Sequence, residues 1–101
     1  MINKDYIINL IRKENVKDYL NKHGIEHISL FWSYARWDMT DESDIDLLYQ
    51  KKNNIKFSLL DRINIINYLS NIFQKKIDIV NKDSINFRIK DEILKNKIDI
   101  I

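Results

Sequence analysis

The chain has 101 residues, enough for one domain and not two. Hydrophobic residues make up 45% and charged residues 32%, the balance of a soluble globular domain, and no apolar run approaches the roughly 20 residues that a membrane span needs. There is no cysteine, which excludes a disulfide framework and a Cys-based zinc site, and a net charge of +2 is too small to argue for nucleic acid. The N-terminus carries Asp5 early and lacks an apolar signal-peptide core, so a cytoplasmic protein is the expectation.

Taken in chain order, residues Lys4 to Lys22 read as helix, with apolar positions at Ile7, Leu10 and Ile11, then Val16, Tyr19 and Leu20. The polar run Arg12 to Asn15 marks a bend, and Gly24 is a helix stop. Glu26 to Trp32 is expected as a buried strand. Ser33 to Trp37 opens a short helix, and Asp38 to Ser43 is a polar loop. Asp44 to Gln50 is a second strand, followed by a turn at Lys51 to Asn54. Ser58 to Gln74 is the strongest helix, with Ser58 as N-cap and Leu59, Leu60, Ile63, Ile66, Leu69 and Phe73 as its apolar stripe. Lys76 to Val80 is a third strand. Phe87 to Lys95 is a helix, preceded by a turn that Asp83 or Ser84 caps. Ile98 to Ile101 is a last short strand. The order implies one small α/β domain over residues 1–101, with helices packed on a mixed sheet.

The chemistry concentrates between Leu30 and Tyr49. Asp44 and Asp46 stand two apart on an expected strand, so both side chains leave the same face. Two carboxylates roughly 4 Å apart repel by about 4 kcal/mol at an effective dielectric near 20. A divalent cation removes that penalty, and Mg²⁺ suits it, because it takes oxygen ligands and is completed by waters and phosphates. Asp78 lies in an apolar strand, where a carboxylate is costly unless paired, metal-bound or exposed. Beside the first pair it would serve as a third ligand, or as general base toward a hydroxyl. Three such carboxylates suit metal-assisted phosphoryl or nucleotidyl transfer. Upstream, Ser33 lies between a strand and a helix start, where a hydroxyl and free N–H groups receive phosphate, and Arg36 stands one turn on to neutralise its charge.

These residues carry a family resemblance. Ser33-Tyr34-Ala35-Arg36 followed by Ser43-Asp44-Ile45-Asp46-Leu47 is similar to the signature of the DNA polymerase β-like nucleotidyltransferases, G-S-x-A-R-G and then S-D-I-D-L. The length, the helical start and the strand-borne Asp78 after a long helix resemble the minimal nucleotidyltransferase (MNT) family over essentially the whole chain. The resemblance implies the nucleotidyltransferase fold, ATP as substrate and two Mg²⁺ ions. It implies that Asp44, Asp46 and Asp78 are catalytic and bind metal, and that Trp32, Ser33 and Arg36 line the nucleotide site. It further implies an antitoxin that transfers AMP to a tyrosine of a HEPN-domain ribonuclease toxin, with no membrane and no direct nucleic-acid contact. The alternative is an impaired member that neutralises its toxin by binding alone.

One departure stands out. Trp32 and Trp37, the chain's two tryptophans, occupy both glycine positions of the signature, and one glycine is left in the whole sequence. Glycine lets backbone approach the triphosphate, whereas an indole crowds that pocket. Three readings stay open: a decayed site, rings that turn outward toward a partner, or UGA codons that the source organism reads as glycine. Among the other residues, Asp38, Asp41 and Glu42 read as loop acids that could rim the ATP site, Asp99 as a chain-end acid, and His23 and His27 as straddling Gly24 without sharing a helix face.

Overall fold

The computed structural model describes residues 3–31 and 44–101. Among the described residues the expected helices and strands are present, arranged as four strands and four α-helices. The expected short helix at Ser33 to Trp37 and the loop from Asp38 to Ser43 lie outside the described residues.

The expected first helix is two. Helix α1 spans Lys4–Ile11 and α2 spans Glu14–Lys22. Asn3 caps α1, its Oδ1 accepting the Tyr6 N–H at 2.9 Å. The break falls in the polar run, where Lys13 is extended (φ −61°, ψ 141°). Nothing apolar there asks for burial, and Arg12 Nε instead donates to the Ile100 carbonyl at 2.9 Å, tying the break to the C-terminal segment. Gly24 ends α2 with φ +92°, and a Cβ there would stand 3.3 Å from Ile55 Cγ2. Both the backbone angle and the close neighbour ask for glycine.

Strands β1 (Ile25–Leu30), β2 (Ile45–Lys51), β3 (Ile77–Asn81) and β4 (Ile98–Asp99) form one mixed sheet in the order β3-β2-β1-β4. β1 is antiparallel to both β2 and β4, and β2 is parallel to β3. A parallel pair needs a crossover. Helix α3 (Leu59–Phe73) supplies it between β2 and β3. β4 is shorter than the expected strand. Its pairing continues irregularly, with Ile100 and Ile101 both donating to the Ile28 carbonyl.

Strand alternation divides the sheet into two faces. Ile28, Leu30, Ile45, Leu47, Tyr49, Ile77 and Ile79 fill one face and pack with Ile7, Ile11, Leu20, Ile65 and Leu69 from α1, α2 and α3. The opposite face carries a smaller cluster of Phe31, Leu48 and Ile93, the last from α4 (Phe87–Asn96). Of the residues between those of the main core, Leu48 and Ser29 are buried, whereas Asp46 and Asp78 have only partial cover.

Helix α3 corrects the expected stripe. Leu59, Leu60 and Ile63 are 72%, 65% and 44% exposed, while Ile65, Leu69 and Phe73 are buried, with Ile66, Tyr68 and Ile72 packed beside them. Leu59, Leu60 and Ile63 share the helix side of exposed Asn67 and Asn71, whereas Ile65, Leu69 and Phe73 lie opposite, so the expected stripe mixed two sides. The N-cap expectation holds, and as a full capping box: Ser58 Oγ accepts the Asp61 N–H at 3.1 Å, and Asp61 accepts the Ser58 N–H at 3.0 Å. Asparagines do the remaining capping, in place of Asp83 or Ser84. Asn81 accepts the Asp83 N–H in the 3₁₀ turn Lys82–Ser84, and Asn86 accepts the Arg88 N–H at the start of α4. No helix among the described residues is long and apolar enough to cross a membrane.

Candidate active site

Asp46 and Asp78 are paired positions in the parallel β2–β3 ladder. Their neighbours Ile45, Leu47, Ile77 and Ile79 point into the core, so both carboxylates leave by the opposite face. Asp44 stands one residue before β2 and two before Asp46. The fold thus brings together the three carboxylates singled out in the sequence, from segments more than thirty positions apart. The edge of this arrangement is fixed by backbone: Ile45 N–H donates to the Lys76 carbonyl at 3.0 Å, and Phe31 N–H donates to the Asp46 carbonyl at 3.3 Å.

The electrostatics follow from that crowding. The Asp46 carboxyl is pushed up to about 6, first by burial, then by the negative charges of Asp78 and Asp44. The two flanking acids each have a cation. Arg62 Nη2 of α3 donates to Asp78 Oδ1 at 3.1 Å. Lys76 Nζ lies 3.8 Å from Asp44 Oδ2. In this arrangement no group of three acidic or histidine side chains among the described residues is gathered closely enough to hold an ion. The donor set still fits a hard divalent cation. All three groups are carboxylates, Asp46 and Asp78 share one face, and Asp46 feels the negative charge of both others, which such a cation would relieve.

Arg62 was not singled out in the sequence, although a signal was there. It is the lone cation in the fifteen residues of α3, whose other charge, Asp61, is used by the capping box. Lys76, at the start of the third strand, is 79% exposed. Trp32, Ser33 and Arg36, expected at the nucleotide, lie outside the described residues, as do Tyr34, Asp38, Asp41 and Glu42. Asp99 is exposed on β4, where it accepts from Ser29 Oγ at 2.6 Å and pairs with Lys97. His23 packs on Tyr19 and lies 3.8 Å from Asp61, whereas His27 is on β1 with Nδ1 3.2 Å from the Ile101 carbonyl. They share no site. A cavity of about 260 Å³ lies on the same sheet face, lined by His27, Ser29, Gln50, Lys82, Lys97 and Asp99 among others, and none of the three carboxylates lines it.

A mixed sheet with a helical crossover, carrying paired acids on adjacent parallel strands, defines a nucleotidyltransferase-type domain. Comparison with known proteins agrees. Residues 14–101 match the family described as polymerase β, nucleotidyltransferase. A protein of Methanocaldococcus jannaschii, provisionally named a protein adenylyltransferase, is 34% identical over 88% of this chain and 94% of its own length. A solved structure provisionally assigned as a minimal nucleotidyltransferase superposes with a TM-score of 0.76 at 25% identity, covering 96% of this chain and 95% of that one. A chain from the complex of tri-AMPylated HEPN toxin with MNT antitoxin from Shewanella oneidensis shares the fold at a TM-score of 0.60 and 16% identity, covering 86% of this chain and 66% of that one. The chain belongs to the polymerase β nucleotidyltransferase family, and its relatives include named protein adenylyltransferases.

Proposed function

We propose that this chain is an MNT-type antitoxin that transfers AMP from ATP to a tyrosine of a HEPN-domain toxin. The observation that carries the reading is the in-register pairing of Asp46 with Asp78, with the charge of Asp44, two residues before Asp46, acting on the same carboxyl. The naming of relatives as protein adenylyltransferases and the AMPylated toxin–antitoxin complex among the fold neighbours support the acceptor class.

In this reading Asp44, Asp46 and Asp78 hold Mg²⁺, two ions in all. Bound there, Mg²⁺ would neutralise charge at the α-phosphate and on the departing pyrophosphate. The tyrosine oxygen forms the new bond to the α-phosphorus, and the bond from that phosphorus to the bridging oxygen of pyrophosphate breaks. Asp78 receives the phenolic proton. Asp46 contributes as a carboxylate, so its elevated pKa must fall when the site is loaded. Ser33 and Arg36 take the triphosphate beside Trp32.

A second reading is favoured by one feature, the replacement of both signature glycines by Trp32 and Trp37. It holds that the chain silences its toxin by contact alone. Intact-protein mass spectrometry of a candidate HEPN-domain partner, after incubation with the chain, Mg²⁺ and ATP, decides between them. AMP-sized additions that vanish with Asp44→Asn support transfer. Neutralisation that persists without ATP, with no mass added, would leave the binding reading standing.

A further inference from the structure

The transfer chemistry makes no use of Arg62, yet this residue holds one of the three acids. Its Nη2 donates to Asp78 Oδ1 at 3.1 Å, with Arg62 36% and Asp78 50% exposed. The contact joins the crossover helix to the edge strand across sixteen positions. The same guanidinium opposes the rise that burial imposes on the phenol of Tyr49, a core-face residue of β2. The other flanking cation, Lys76, is farther from its acid at 3.8 Å and much more exposed, hence better screened. Asp46 between them takes part in no ion pair among the described residues.

A guanidinium and a divalent cation compete for the same carboxylate oxygens and repel each other. A nucleotide changes the balance. Its phosphates attract the cation and offer the freed guanidinium an equally good partner, because the planar fork suits phosphate as well as carboxylate. We propose that Arg62 is a positioning residue that keeps Asp78 ion-paired in the nucleotide-free protein, so that the carboxylate site takes its divalent cation together with the nucleotide rather than before it. The inference rests on the assignment of Asp44, Asp46 and Asp78 as the cation site.

The test is Mn²⁺ binding followed by electron paramagnetic resonance, on folded protein verified by circular dichroism, with and without a non-hydrolysable ATP analogue. Without nucleotide, Arg62→Gln is expected to bind Mn²⁺ about tenfold more tightly than the wild type, a screened fraction of the bare repulsion between the two cations. Arg62→Lys, which keeps the charge, should bind as weakly as the wild type, and so should Lys90→Gln on the exposed face of α4. With the analogue present the gap between wild type and Arg62→Gln should close. Unchanged or weaker binding by Arg62→Gln overturns the proposal, as does tightening by Arg62→Lys or a gap indifferent to nucleotide. Asp46→Asn separates the two levels of the argument. If it abolishes binding while Arg62→Gln changes nothing, the cation site stands and only the role of Arg62 falls. If it leaves binding intact, both fall.

Discussion

Asp46 of β2 and Asp78 of β3 are partners in a parallel ladder, and that pairing places two carboxylates side by side on a face that the core does not cover. Burial first, and then the negative charges of Asp78 and Asp44, lift the Asp46 carboxyl to about 6.

The first prediction concerns the acids as a set. Asp44→Asn, Asp46→Asn and Asp78→Asn each remove one charge without removing volume, so each should fold. Each should lower the proposed AMP transfer by a factor of about 100 or more, since in that reading each withdraws an interaction with the cation or the proton. Mass addition to the HEPN partner reads the result. Normal transfer by any one of them removes that residue from the site.

The second is a pH dependence. An acid with a higher pKa folded than unfolded binds protons better when folded. Its contribution is therefore most favourable below the ordinary carboxylate range and is lost as pH rises toward about 6. In chelator, Asp46→Asn should be more stable than the wild type at pH 8, by about 1–2 kcal/mol once screening of a partly exposed group is allowed for. The advantage should shrink between pH 6 and pH 4. Thermal melts of both proteins across that range check it, and a pH-independent gap would refute the assignment.

The third separates the two sides of α3. Leu69 is fully buried against the sheet, so Leu69→Ala should cost about 2–5 kcal/mol. Leu60 is 65% exposed, and Leu60→Ala should change stability by about 0.5 kcal/mol or less. Urea denaturation of the two variants measures both. Equal losses would mean that Leu60 is covered in solution.

The fourth addresses the tryptophans. If indoles crowd the nucleotide, the Trp32→Gly/Trp37→Gly variant should add AMP to the HEPN partner faster than the chain as written, with a lower KM for ATP. Equal rates would mean that the rings turn away. Reading codons 32 and 37 in the gene settles the recoding idea, because any codon other than TGA ends it.

The sequence alone determined a good deal. The S-D-I-D-L run, the period-two placement of Asp44 and Asp46, the Ser58 cap and the strand-borne Asp78 are local signals, and each reports on a few consecutive residues. Trp32, Ser33 and Arg36 lie outside the described residues. The polar run at which the first helix breaks was legible too. Tertiary structure decided two further matters. It left Leu59, Leu60 and Ile63 of α3 exposed, and it brought Arg62 to Asp78. Each of these depends on contacts between segments distant in the chain, and a distance through space has no period for a sequence to display.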